Sequence, residues 1–338
     1  DDLTFKQYNV SLDSQEKVTL LSPRNSKDGY FIESGFITSD KNVEIPNSSS
    51  IWKVSGNNKL TDQSPIKISW TNDQGITFEK EIALDDKYLF SIKQSVINPT
   101  DKKYDFYTYG QIIRNEMPDI SNFYILHEGL VATLDDELIE EDYDDIQEKK
   151  FSRTAQKGWL GIGDKYWVTS LIPPREKEFK TTFDYKDKFR VNFVSTEPLE
   201  LNENSLIEET LQIIVAAKRV DVIDGYAESL NIDKFDLTID WGFLYFITKP
   251  LFFGIDYFFK LLGNYGLAII AITICIRLAF FPLANFSFRS MAKMKALQPE
   301  MARLKELHKD DKMKLQQAMM ALYKKEKVNP MSGCLPIL

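Results

Sequence analysis

The stretch from Gly266 to Phe288, GLAIIAITICIRLAFFPLANFSF, constrains the fold of this chain more than any other. Arg277 is its one charged side chain and stands at its centre, with eleven residues on either side. At about 1.5 Å per helical residue, twenty-odd apolar residues match a hydrocarbon core of about 30 Å, so the run reads as a membrane-spanning helix. An arginine near mid-depth costs about 2.5–3.5 kcal/mol on insertion scales, and such a cost is seldom carried without use. The alternative is a span displaced toward the N-terminus, with Arg277 snorkelling at the membrane edge. Against it, the apolar run continues beyond the arginine in LAFFPLANF.

The charge distribution orients this span. The 338 residues carry 42 basic and 50 acidic side chains, a net charge of −8. Residues 285–327 hold eleven Lys or Arg against five Asp or Glu, so an acidic body of 284 residues meets a basic segment across the apolar run. The positive-inside rule then puts the basic segment in the cytoplasm and the acidic body on the far side of the membrane. The chain opens on no signal-like segment and stops inside the apolar VNPMSGCLPIL, so both ends read as cuts in a longer protein. Cys275 and Cys334 are the two cysteines, and neither gives the acidic body a disulfide framework.

Residues 1–235 read as mainly β. Segments such as KVTLL, GYFIESGF, PIKISW, ITFEKEIAL, YDFYTYGQII, KYWVTSLI and KFRVNFVS are short, rich in β-branched and aromatic residues, and punctuated by Asn, Asp, Gly and Pro. In KISWTNDQGITFEKEI, Asn72, Asp73 and Gly75 supply hairpin-turn chemistry. So many strands predict two packed sheets, a β-sandwich. The acidic run DDELIEEDYDDIQEK, 135–149, is expected to be a solvated loop, since no glycine punctuates the acids as a calcium loop needs. VIDGYAESLNIDKFDL is expected to form one short helix followed by a linker.

A sandwich of this size outside a membrane also suits a membrane-anchored carbohydrate-processing enzyme, the rival reading. Its chemistry is thin: His127, in the strand-like FYILHEGL, is the one histidine of the region, and no pattern pairs two carboxylates for acid and base work. Neither a metal nor a cofactor site is expected.

From Trp241 the pattern turns helical. In residues 241–263, Lys249, Asp256 and Lys260 fall within a stripe about 40° wide while Phe, Tyr and Trp crowd the other faces, which suits a helix lying in the membrane interface; packing beneath the β-domain is the alternative. Residues 264–288 are the span. In residues 289–327, Met294, Leu297, Met301 and Leu304 form one apolar seam and Leu315, Ala318, Met319 and Leu322 another, on either side of a turn at Lys309 to Asp311. This predicts a cytoplasmic helical hairpin, its seams packing on each other, on a partner, or on both. Six of the eight methionines lie between 291 and 320, giving an adaptable surface on which Met294, Met301 and Met319 are candidate contacts. The basic residues alternate with apolar ones, so nucleic-acid recognition is not expected.

NYGLAIIAITICIRLAFFPL, then MAKMKALQPEM, then DDKMKLQQAMMALYKKEKVNPMSGCLPIL, resemble the YidC family of membrane protein insertases in the family's order. GWLGIGDKYWVTSLIPP, 158–174, is similar to part of that family's periplasmic domain. The resemblance implies a multi-pass inner-membrane protein with a periplasmic β-super-sandwich, an interfacial helix, a span whose arginine and nearby threonine line a water-filled groove, and a cytoplasmic hairpin. The arginine falls on Arg277 and the threonine, one turn earlier, on Thr273; residues 328–338 would begin the next span. Nascent membrane proteins, the lipid bilayer, the Sec translocon and the ribosome are the implied partners.

Overall fold

The computed structural model describes residues 2–11, 13–118, 127–242, 244–309 and 311–326. It divides into two compact units, Asp1–Gly242 and Phe243–Leu338.

The described residues of the first unit contain seventeen strands: β1 (Leu3–Asn9), β2 (Lys17–Leu21), β3 (Tyr30–Ile37), β4 (Lys53–Ser55), β5 (Ile66–Thr71), β6 (Thr77–Leu84), β7 (Leu89–Asn98), β8 (Tyr104–Arg114), β9 (Gly129–Leu134), β10 (Glu137–Asp142), β11 (Phe151–Ala155), β12 (Gly158–Gly163), β13 (Trp167–Ile172), β14 (Phe179–Tyr185), β15 (Phe189–Ser195), β16 (Leu199–Leu201) and β17 (Ser205–Ala217). A nine-stranded antiparallel sheet has the order β10-β9-β12-β13-β17-β7-β6-β5-β4. A second sheet has the order β11-β14-β15-β8-β16, with β3 also paired to β8, and β1 and β2 form a separate pair. The main core lies between the two large sheets, where Leu130, Leu160, Leu171 and Leu211 of the first meet Ile112, Phe183, Val191 and Phe193 of the second. This is the expected sandwich.

KVTLL, GYFIESGF, PIKISW, ITFEKEIAL, YDFYTYGQII, KYWVTSLI and KFRVNFVS all contribute strands. The turn joining β5 to β6 is closed by the Asn72 carboxamide oxygen, which accepts from the backbone N–H groups of Gln74 (3.0 Å) and Ile76 (2.9 Å), while Gly75 takes φ +84°. Both are the roles that turn chemistry assigns to Asn and Gly.

Two expectations are corrected. The acidic run is structured: it forms β10 and the helix α1 (Tyr143–Glu148), with Ile139, Tyr143 and Ile146 buried. The carboxylates occupy the outer face, and the Tyr143 hydroxyl accepts from Arg114 at 3.1 Å while the same guanidinium pairs with Asp164 at 2.6 Å. The segment after the next helix is likewise no linker. Helix α2 (Val220–Ser229) is followed by a 3-10 turn, Phe235–Thr238, and Ile232 and Phe235 join Val222, Ile223 and Tyr226 in a second core on Trp159, Val168 and Ile214. Phe235 meets Trp159 edge-on at 5.3 Å. These helices cover the outer face of β12, β13 and β17 and bury those strands on both faces, so that all five residues of VTSLI are buried, the polar Thr169 and Ser170 included.

The second unit is helical: α3 (Tyr245–Leu262), α4 (Tyr265–Ala296), α5 (Gln298–Leu307) and α6 (Lys312–Lys325). Helix α4 runs eight residues past the expected end of the span. Its tail, RSMAKMKA, is made of helix formers, and the break comes at Leu297, just before Pro299, which has no N–H to continue the ladder.

Candidate functional site

Helix α3 ends at Gly263, whose φ of +66° lets its N–H close on the Phe259 carbonyl at 2.8 Å. One residue later the Asn264 side chain caps α4 by accepting from the Leu267 N–H at 3.2 Å. The chain thus reverses within two residues, and α3 packs on α4. Phe259 stacks on Tyr265 at 3.9 Å, Ala268 is fully buried, and Gly254 sits so close to Ile272 that a Cβ there would lie 2.8 Å from its Cδ1. No residue of α3 is buried; Phe246, Phe253, Tyr257 and Leu261 are exposed, and Lys260 pairs with Asp256 at 2.6 Å along the charged stripe.

Helix α4 is the one helix among the described residues that is long and apolar enough to cross a membrane. Thr273 and Arg277 lie one turn apart on it, about 40° apart in azimuth, and both are exposed. Ala268, Ile272 and Ile276 mark the side that meets α3, so the arginine faces elsewhere. The Thr273 hydroxyl donates to the Ile269 carbonyl at 2.7 Å, leaving its lone pairs free, and Arg277 has no ion-pair partner among the described residues. What the arrangement offers is one cation and one hydroxyl acceptor on an otherwise apolar face.

In the hairpin, the Asp311 carboxylate caps α6 by accepting from the Lys314 N–H at 3.0 Å, as the turn predicts. The seam residues Leu297, Leu304, Leu315 and Leu322 are half-buried, and so are Met294, Met301 and Met319. The Tyr323 hydroxyl of α6 lies 3.7 Å from the Met301 sulfur of α5, so the two seams pack on each other. The exposed methionines are Met313 and Met320, 75% and 63% accessible. Seven residues apart, they share one face of α6. Spacing alone missed them because they fall outside the seam; their mismatch with its period was the available signal. Residues 328–338, including Cys334, lie outside the described residues, as do residues 123–126 of the strand-like FYILHEGL; His127 and Glu128 are not in a strand, and β9 begins at Gly129. That histidine is held by Asp142 at 3.2 Å and Asp240 at 3.1 Å, a structural setting.

A large β-domain followed by an apolar helix with one lodged arginine and a basic helical hairpin defines a membrane-anchored protein. Residues 1–253 match the family profile described as YidC periplasmic domain, and residues 257–338 match that of the 60Kd inner membrane protein. The chain belongs to the YidC family. It is 74% identical over its full length to the membrane protein insertase YidC of Pelagibacter ubique, covering 61% of that protein, and 40% identical to the one of Brucella melitensis, covering 57%. It therefore spans about three fifths of the curated relatives it matches. Among solved structures, an active YidC insertase with its first transmembrane domain resolved aligns with 96% of this chain and 61% of its own, at 14% identity and a TM-score of 0.29. A galactose mutarotase related enzyme from Lactobacillus acidophilus aligns with 48% of this chain and 70% of its own, at 10% identity and a TM-score of 0.38.

Proposed function

We propose that this chain forms the periplasmic β-domain, interfacial helix, a transmembrane helix and the cytoplasmic hairpin of a multi-pass inner-membrane insertase, a binding machine and not a catalyst. The proposed divisions are 1–235, 241–263, 264–288 and 289–327. The single supporting observation is the placement of Thr273 and Arg277 together on an exposed face of an apolar helix. A groove lined by these two side chains gives the polar, often acidic, flank of a nascent membrane protein a cation and a hydroxyl in place of water. The apolar surface beside them receives the substrate's hydrophobic segment. The hairpin, through its methionines, is the contact for the emerging chain, with the ribosome and the Sec translocon as partners.

The experiment is substrate insertion by the full-length protein carrying Arg277 variants at equal membrane abundance. Arg277→Lys keeps activity, because a hydrated groove holds either cation. Arg277→Ala loses it on acidic-tailed substrates, and Arg277→Glu is worse because it repels the flank. Full activity of Arg277→Ala on those substrates refutes the counter-charge role. Deletion of residues 1–220 leaves insertion largely intact, whereas a carbohydrate-processing enzyme would lose everything.

A further inference from the structure

Strand β6 breaks its own pattern. Its inward-facing positions are Phe78, Lys80 and Ile82, so a lysine occupies an apolar register while Glu79 and Glu81 point the other way. Lys80 pairs across the sheet with Ile68 of β5 and with Gln94 of β7, and Gln94 pairs with Glu209 of β17. A polar row therefore crosses an inner face whose next row is Ile82, Ile92 and Leu211.

The groups in this row are not equally satisfied. Glu209 is paired with Lys177. Gln94 is fully buried, and neither its amide nitrogen nor its oxygen has a hydrogen-bond partner among the described residues. Lys80 donates to the Ser34 carbonyl and lies 5.5 Å from the centre of the Trp52 ring, with no carboxylate partner among the described residues. Burial draws its ammonium down from 10.5 to about 8, with no opposing charge to hold it up.

Both groups line cavities. Lys80 lies in the wall of a cleft of about 610 Å³, together with Ile32, Ile68, Ile82, Phe90, Ile213 and Val215. Gln94 lines a recess of about 30 Å³ that shares Ser34, Trp52, Lys80 and Tyr109 with the cleft. The other charged residues of the cleft are Asp2, Arg24 and Glu33, and the last two pair with each other. The cleft is thus apolar along its body, with Lys80, a cation that has no carboxylate partner among the described residues, in its wall beside the recess that holds the Gln94 amide.

We propose that this cleft binds a single-chain amphiphile with an alkyl body and a carboxylate head, the head accepting from the Lys80 ammonium and the Gln94 amide. Lys80 is the one cation there without a carboxylate partner among the described residues, and with Asp2 and Glu33 in the same wall a singly charged carboxylate fits better than a dianionic phosphate. The inner-face strands spend their backbone N–H and C=O groups on their own ladders, so the body is an alkyl chain, which needs no hydrogen bonds, and not an extended peptide, which does. This site is independent of the groove proposed above.

The test uses the full-length protein in phosphatidylcholine nanodiscs and a photoreactive palmitate with a mid-chain diazirine, its adducts mapped by peptide mass spectrometry. Adducts are expected on β5, β6 and β7, competed at least tenfold better by palmitate than by hexadecanol or hexadecylamine. Lys80→Met removes this head-group preference, and Gln94→Met weakens it several-fold. Tryptophan emission reports that each variant remains folded. Adducts confined to other elements, equal competition by the alcohol, or an unchanged preference in folded Lys80→Met would overturn the proposal.

Discussion

Replacing Lys80 with methionine should stabilise the β-domain at neutral pH, although it deletes a hydrogen bond. Burial holds the Lys80 ammonium near 8 against an ordinary 10.5. At about 1.4 kcal/mol for each tenfold change in proton affinity, keeping that charge in the fold at pH 7 costs about 3 kcal/mol. Methionine keeps the length and the apolar stem. It forfeits the bond to the Ser34 carbonyl and the contact with Trp52, together worth about 1–2 kcal/mol. The variant therefore gains about 1–2 kcal/mol at pH 7.

The pH dependence carries the stronger test. Below pH 8, Lys80 is charged in both the folded and the unfolded chain, and the full cost is present. Between 8 and 10.5 the unfolded chain binds a proton that the folded chain does not, so the stability of the unsubstituted protein rises with pH. By pH 9.5 the advantage of Lys80→Met should have shrunk by about 2 kcal/mol, leaving the two proteins level or reversed. The five tryptophans of these 338 residues, at 52, 70, 159, 167 and 241, lie in the first unit, so urea unfolding of this chain followed by tryptophan emission reads the β-domain. A stability difference that does not change between pH 7 and 9.5, or a variant less stable at pH 7, would refute the reasoning.

Phe235→Ala should cost about 3–5 kcal/mol and red-shift tryptophan emission, because the ring is fully buried against Trp159; a loss below about 1 kcal/mol would return the segment to a linker. Gly254→Leu should push α3 from α4 at a cost of about 1–3 kcal/mol, read as a lower melting temperature in nanodiscs, since its side chain meets Ile272; an unchanged melting temperature contradicts the close crossing. In the hairpin, Met301→Ser with Met319→Ser should speed proteolysis between the arms. Met313→Ser with Met320→Ser should leave protease protection intact and reduce crosslinking to nascent chains by several-fold; the opposite pattern would reverse the assignment of inner and outer faces.

The strands were legible because a half-buried strand writes its two faces into alternate positions, and the turn at Asn72 to Gly75 because few residues suit that backbone. The order of the strands was not, since the pairing of β17 with β7 joins segments more than a hundred residues apart and leaves no local mark. The acidic run misled because its apolar residues, Ile139, Tyr143 and Ile146, are outnumbered by carboxylates that need only one face. Phe235 looked like linker because its burial depends on Trp159, a partner 76 positions away that local pattern does not reveal. At the candidate site, Arg277 and Thr273 stood out against an apolar background. Lys80 did not, because FEKEI is charged at three consecutive positions, and only the phase of Phe78 and Ile82 shows that the middle one turns inward.

Helix α4 has 32 residues, about 48 Å of continuous helix, while a hydrocarbon core takes up about 30 Å of it. The remaining 18 Å works as a lever arm. A torque applied to the hairpin where α4 hands over to α5 reaches Arg277 through a single rod, so turning the hairpin by a given angle turns the arginine's azimuth with it. The one weak point in the rod is Pro282, whose missing N–H leaves the Leu278 carbonyl without its helical donor five residues from Arg277. A rod of this kind would gear the direction in which the arginine points to the hairpin, with Pro282 as the place where the gearing slips.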